Sequence, residues 1–415
     1  MQFFDNNDTI SAIYQQSISL YISKDFAEQR HGKVNLVDFQ GSEQENRRRE
    51  LLSVEVKAQQ EKIVAAHGEE HFRKQVMATF FAQVNKQVNE EFDNKAYVYK
   101  NILNIEDAAP TILELLFLRA TSINKIKPLA MSLPWLATDL INLVNKPQYR
   151  KRADVQVNDA KLALSYIGLD NLKLVMPTFI LKHWLPTSTS PFGLMKRKLW
   201  NDSLSIALAS SVLAEHSGVN CYTAFTTGML SNIGQLAITR CYLNTYNRMY
   251  KKELRDAFEA KDKRLYDILA KIENSPDLLL EQLILRSSKL SAELIELMNF
   301  DRLPITEAMF DLTYVENIEK MSSIAQLVTK AKVYISYRNL AKENLINDEE
   351  KLSLSAKLKD ASDKLTKEKK AVADKEKAEA KIKTVNSEIN GSTDAKTKLD
   401  TAKSEKYDND TIKLT

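Results

Sequence analysis

The sequence predicts an all-α protein, and three observations carry that expectation. Glycine and proline stand at only nine each in 415 residues. Long stretches mix Leu, Ala, Ile and Lys without turn residues, a composition that favours helix. Apolar residues recur at helical spacing, for example Val76, Phe80, Phe81, Val84 and Val88, as an amphipathic helix requires.

Composition divides the chain into an N-terminal helical region at 1–100, a strongly apolar-periodic region at 101–345 and a charged tail at 346–415. In the first region, residues 41–50 read as a loop running into a solvated helix start, with the Arg47-Arg48-Arg49 triplet flanked by acids. In the middle region Pro110, Pro134 and Pro304 each stand near the head of an apolar run, where the first helical turn tolerates proline. Gly168 follows Leu162 to Ile167 as a helix-ending glycine, with Asp170 helping to start the next helix, and Pro177 is expected to kink that helix. From Leu199 onward, Trp200, Leu204, Ala207, Leu208, Ser211 and Val212 share a face, and the small Ala207 and Ser211 suit the close approach of a neighbour. In the tail, Leu358, Leu365 and Val372 repeat at seven, which hints at a coiled coil. Their partner positions are small or charged, so a solvated helix with weak self-association fits better, passing into disorder beyond Asn390.

Charge and cysteine usage narrow the function classes. Residues 351–415 hold 16 Lys against 12 acidic groups, which accounts for the whole net charge of +4 and leaves a neutral body. No clustered Lys/Arg face is present, so nucleic acid is not an expected partner. Cys221 and Cys241 form no disulfide framework. The N-terminus lacks a signal-peptide pattern, and no apolar run approaches the roughly 18 residues of a membrane span. A cytoplasmic protein is expected.

The stretch Gly228-Met229-Leu230-Ser231-Asn232-Ile233-Gly234 is similar to the Gly-x-Leu-His-Asp-Ile-Gly signature of the HD phosphohydrolase superfamily, in which the His-Asp pair ligates the catalytic metal. Here that pair is Ser231-Asn232, a neutral hydroxyl and a neutral amide, and neither is a good ligand for a divalent transition metal. Five further elements stand in the same order as in a related family. They are Ala109-Pro110-Thr111, Leu133-Pro134-Trp135-Leu136 with the leucine-rich run to Asn145, Ala163 to Leu169 with Gly168, Leu199-Trp200-Asn201-Asp202-Ser203-Leu204, and Glu293 to Pro304. Together, over about 200 residues, they resemble the HDOD domain, the HD-related output domain of bacterial signalling proteins. Asp202 occupies a position where that family often has histidine, and the family's later histidine has no counterpart at Ser287 to Lys289.

The resemblance implies a multi-helix orthogonal bundle, with Gly228, Gly234, Trp200 and Gly168 supporting the motifs and Asp202, Ser231 and Asn232 marking a degenerate metal site. No metal and no cofactor are expected, since a single carboxylate without imidazole partners does not make a transition-metal site. A non-catalytic regulatory module acting on a protein partner is the leading expectation. A nucleotide receptor that kept an HD-like pocket, and a divergent hydrolase drawing ligands from Asp139, Asp154 or Asp202, are the alternatives. The segment His67-Gly68-Glu69-Glu70-His71 also fits the inverted zinc-protease pattern His-x-x-Glu-His. That chemistry needs a further glutamate some tens of residues on, and none lies between Glu114 and Glu215. Two exposed histidines on a polar helix are the plainer reading. His183 and His216, each late in an apolar helix, are expected to be structural.

Overall fold

The computed structural model describes residues 8–30, 53–147 and 156–346, with side chains from 10 and from 68 in the first two stretches. The expected loop at 41–50 and the tail, with its coiled-coil hint, lie outside the described residues. The fold is all-α, and no strand occurs among the described residues. No helix there is long and apolar enough to cross a membrane.

Two short N-terminal helices, α1 (Asp8–Ile22) and α2 (Lys24–Arg30), precede a long helix α3 (Ser53–Asp93). At 1.5 Å per residue, α3 spans about 60 Å. It runs unbroken through Gly68. Its C-terminal part joins the core: Phe80, Val84, Val88 and Phe92 are buried, while His71 is exposed. A short helical turn and a π-helical segment, Val98–Ile102, then lead to α4 (Ala108–Phe117).

Helices α5 (Ile123–Met131), α6 (Pro134–Val144), α7 (Ala160–Ile167) and α8 (Leu169–Trp184) build one side of the bundle. Their ends obey simple local rules. Pro134 opens α6, where a missing N–H costs nothing. The Asp159 side chain accepts from Lys161 N to cap α7. Gly168 closes α7 and opens α8 at a φ of 78°, a left-handed value that only glycine adopts cheaply. Helix α8 continues through Pro177 to Trp184, which is fully buried.

The centre consists of α9 (Met195–Ser217), α10 (Cys221–Leu230), α11 (Ile233–Glu259) and α12 (Lys263–Leu269). They are followed by α13 (Pro276–Leu297), α14 (Ile305–Tyr314) and α15 (Ser323–Lys342). The closest pairings are α9 with α10, α11 with α13 and α9 with α15. Helix α1 returns from the start of the chain to pack against α15, α13 and α9. Its Ile18, Tyr21 and Ile22 belong to the main core, while Ile10, Ile13 and Leu20 join Val333, Leu340, Leu345 and Ile346 in a flanking cluster.

Helix α3 is locked to α11 by a buried acid. Glu91 accepts hydrogen bonds from Thr245 Oγ1 at 2.7 Å and Cys241 Sγ at 3.2 Å, and pairs with Arg248. Burial works against its charge, but the bonds from Arg248, Thr245 and Cys241 outweigh it and hold the carboxyl below its usual range. The Cys241 thiol, by contrast, is pushed up by burial and by the neighbouring Glu91, so it is an unreactive donor. Replacing Glu91 with Ala leaves three donors without an acceptor and should cost about 2 kcal/mol in urea unfolding. Because the folded Glu91 pKa is depressed, the wild-type advantage should be complete above about pH 4.3, the ordinary glutamate value, and shrink as pH falls through the folded pKa.

Candidate functional site

The site forms where α10 ends and α11 begins. Ser231 is the C-cap of α10 and Asn232 the N-cap of α11, and both are buried. A helix C-terminus leaves carbonyls without intrahelical partners, and the Ser231 carbonyl is one of these. It accepts from Ser291 Oγ of α13 at 3.3 Å and from Lys332 Nζ of α15 at 3.1 Å. The Ser231 hydroxyl turns back onto Gly228 O at 2.8 Å. The Asn232 carbonyl starts α11 by accepting from the amides of Gln235 and Leu236.

Both motif glycines stand where backbones touch. A Cβ on Gly228 would lie 2.8 Å from Ala207 Cα and 3.0 Å from Ser210 Oγ, both on α9. One on Gly234 would fall 2.1 Å from the Ser287 carbonyl oxygen and 2.7 Å from Ser291 Oγ. The Gly234 amide donates to Ser291 Oγ at 2.9 Å. Of the two small residues that the sequence pointed to, Ala207 meets Gly228, beside the fully buried Ser210, whereas Ser211 is half-buried. Trp200, Leu204 and Ala207 of the expected face are buried, but Val212 at its far end is 44% exposed.

Asp202 stands apart from the Ser231-Asn232 turn. It is buried on α9, accepts from Asn339 Nδ2 of α15 at 2.9 Å, and is hydrogen-bonded to Tyr21 of α1. Burial raises its pKa, and the bonds from Tyr21 and Asn339 with the nearby Arg338 and Lys198 offset that only in part. Trp200, two residues earlier on α9, is a buried ring in the main core. The points at which α15 holds Asp202 and Ser231, namely Asn339 and Lys332, are seven residues and about 10 Å apart along one helix.

Lys332 was not singled out from the sequence, and it is the most unusual group here. It is 2% exposed on α15 and donates to the Ser231 carbonyl. Burial alone pushes its amine down to about 7. A signal for it did exist: Lys332 falls on the apolar stripe of Val328 and Ile335, at spacings of four and three. Its neighbour Lys330 is not buried.

The remaining candidates scatter. His183 stacks on Trp135 with ring centroids 4.0 Å apart, and its Nε2 lies 3.8 Å from Glu106 Oε1. Burial lowers its pKa, Glu106 raising it in part. The Trp135 indole donates to the same Glu106 oxygen at 3.1 Å, so the group braces α6 against α8. Asp139 is half-buried on α6, and Asp154 lies outside the described residues. His71 is exposed, and Glu69 of the same motif pairs with Arg264 at 3.1 Å. His216 sits in the last turn of α9. No group of three or more His, Cys, Asp or Glu that could hold a metal occurs among the described residues. The donor set does not fit the divalent metal of the HD superfamily: a hydroxyl and a carbonyl are bonded internally, the nearest cation is an amine, and the carboxylate is held elsewhere.

Residues 102–271 match the family model of the HDOD domain. Over that segment the chain is similar to the HDOD domain. A search of curated proteins gives no match. Among solved structures, a candidate metal-dependent phosphohydrolase from Shewanella amazonensis is similar at 14% identity and a TM-score of 0.39, over 68% of this chain and 90% of that one. An HDOD domain protein of unknown function from Geobacter sulfurreducens aligns at 17% identity and a TM-score of 0.39, covering 62% and 78% of the two chains. A candidate signal transduction protein from Marinobacter aquaeolei aligns at 15% identity and a TM-score of 0.37, covering 59% and 54%. The matched HDOD segment contains Gly228 to Gly234 and Asp202. The groups that hold them, Tyr21, Ser291, Lys332 and Asn339, all lie outside it.

Three substitutions test this geometry. Gly234→Ala should destabilise the HDOD core by about 3 kcal/mol in chemical denaturation, since α11 and α13 must part. Gly68→Ala, at an exposed helical position with nothing within 4 Å of a new Cβ, should instead stabilise by about 0.5 to 1 kcal/mol. Asp202→Ala strands the Tyr21 hydroxyl and Asn339 amide and should cost about 2 kcal/mol, far beyond the effect of removing a surface carboxylate.

Proposed function

We propose that this protein is a non-catalytic regulatory module of bacterial signalling that acts through contact with a protein partner. The observation that carries this reading is the occupation of the motif turn by the protein's own groups. Ser231 takes the place of an imidazole, its hydroxyl is spent on Gly228 O, and its carbonyl is bonded to Lys332. Hydrolysis of a phosphate ester in an HD site depends on a bound divalent cation to polarise the phosphate and activate water. An amine beside a backbone carbonyl offers neither a Lewis acid nor a bound hydroxide. What the HDOD domain retains is a rigid helical scaffold, and a scaffold without chemistry acts by binding.

Purified full-length protein, assayed with manganese or magnesium against p-nitrophenyl phosphodiesters and cyclic dinucleotides, should give no turnover above the metal blank. Asp202→Ala should leave that baseline unchanged. Turnover that Asp202→Ala abolishes would overturn the proposal in favour of a divergent hydrolase. An affinity capture with the intact chain, in parallel with a chain ending at 346, identifies the partner and shows whether the tail recruits it.

A further inference from the structure

We propose that Glu106, Trp135, His183 and Arg240 form a binding site for an α-amino acid, whose ammonium group meets Glu106 and whose carboxylate meets Arg240. The side chains come from the segment before α4, from α6, from α8 and from α11. Each is partly exposed, so the site is open to solvent.

The local backbone aims Glu106 at the neighbouring helices. The π-helical segment Val98–Ile102 ends in Leu103, and Asn104 follows at a φ of 55°, in the left-handed region that asparagine tolerates better than most residues. Two residues on, Glu106 meets both α6 and α8. The Trp135 indole donates to Glu106 Oε1 at 3.1 Å, and His183 Nε2 stands 3.8 Å from the same oxygen. The two rings lie parallel with centroids 4.0 Å apart. This plate holds the carboxylate in place without neutralising it. The indole N–H carries no charge, and burial keeps the His183 imidazole below its ordinary pKa, so it is uncharged at neutral pH. Glu106 Oε2 has no hydrogen-bond partner.

Arg240 repeats the pattern with the opposite sign. It donates from Nη1 to the Leu103 carbonyl at 3.4 Å, and no carboxylate charge acts on it. Leu103 stands three residues from Glu106, a span of at most about 10 Å of chain, and both charges act on the His183 ring. A half-buried guanidinium so close to a carboxylate ordinarily pairs with it, often as a bidentate fork. Here each is held by a neutral group instead, Glu106 by the indole and Arg240 by a backbone carbonyl. Asp139, one turn beyond Trp135 on α6, acts on the same imidazole, but it also acts on Lys146 and is not the acid that Arg240 lacks.

Two opposite charges within reach of one ring, but not of each other, fit a ligand that carries both signs. With charge-assisted contacts of about 2.8 Å at each end, an ammonium and a carboxylate on one carbon bridge a gap of about 8 Å. The planar fork of Arg240 suits the carboxylate, and the acceptor-only Glu106 suits the ammonium. An inorganic anion would satisfy Arg240 while facing the Glu106 charge, and a simple cation would meet the reverse conflict. Because Trp135 and Leu103 already hold the two groups, little ordering is required on binding.

Thermal-shift measurements on the full chain with each standard α-amino acid, followed by titration calorimetry of those that raise the melting temperature, test the assignment. At least one should bind. Its N-acetyl form, which lacks the ammonium, and its amide, which lacks the carboxylate, should each bind at least about 10-fold more weakly. The variants should cross with these analogues. Glu106→Gln, whose amide oxygen can still accept from Trp135, should erase the preference for the free amine over the N-acetyl form and keep that for the carboxylate over the amide. Arg240→Met should do the opposite. A merely structural role for either residue weakens all forms alike, and that outcome would overturn the proposal. So would the failure of every α-amino acid to bind, or blocked analogues that bind as tightly as their parent. The analogue comparison uses wild-type protein, so it decides the matter even where a variant does not fold. Neither a protein partner nor a phosphodiester enters the measurement, so its failure leaves the proposed function standing.

Discussion

The close approach of two backbones at Gly234 is the constraint on which the centre of this fold depends. With no Cβ, Gly234 lets α11 start against the main chain of α13, where its amide donates to Ser291 Oγ. The same Ser291 hydroxyl then donates to the Ser231 carbonyl. One serine thus joins the first turn of α11 to the last residue of α10. That fixes the angle of the α10–α11 turn, and with it the place where α15 can set Lys332. Gly228 does the same on the opposite side, seating α10 on Ala207 and Ser210 of α9. Crossings this close convert small sequence changes into large steric ones, because packed interiors have no slack.

The turn so built is polar and buried, and the protein satisfies it from within. A helix C-terminus carries partial negative charge, and the end of α10 meets an amine. That pairing has a cost, since the terminal carbonyl carries only a fraction of the charge needed to hold a full ammonium. The amine consequently sits near neutrality at about 7, in contrast to Glu91, whose three donors more than offset its burial. The two buried charged groups show the same physics with opposite outcomes, decided by the number and charge of their partners.

Much of the architecture could be read from local sequence. The proline near each helix start, the Asp159 and Ser275 caps and the Gly168 turn are local rules, and Pro134, Asp159, Gly168 and Ser275 stand at helix ends. The frame at 228–234 identified the HDOD relationship because its glycines answer to backbone geometry, which survives when the ligands between them change. On α9 Ala207 lies at the contact as read, but Ser210 and not Ser211 stands beside it, since both serines fit a small-residue stripe and only the partner helix chooses. Lys332 was missed for a related reason: a lysine reads as solvated until a neighbouring element is known to cover it. Helix α1 gave no sign of its destination, because the elements that bury its Ile13, Ile18 and Ile22 lie far away in sequence.

By itself, the sequence determined that this chain is helical, where its central helices start and stop, and that the metal-ligating pair of an HD motif is absent from Ser231-Asn232. Those properties follow from backbone conformation and ligand chemistry, which are local. Only the tertiary structure decided that Asp202 and Ser231 are held two turns apart on α15, that a buried lysine donates to the Ser231 carbonyl, and that Tyr21 of the N-terminal helix is bonded to Asp202. Burial is a property of the assembled neighbours, and the desolvation that makes Lys332 and Asp202 unusual does not exist until helices more than a hundred residues apart in sequence come together.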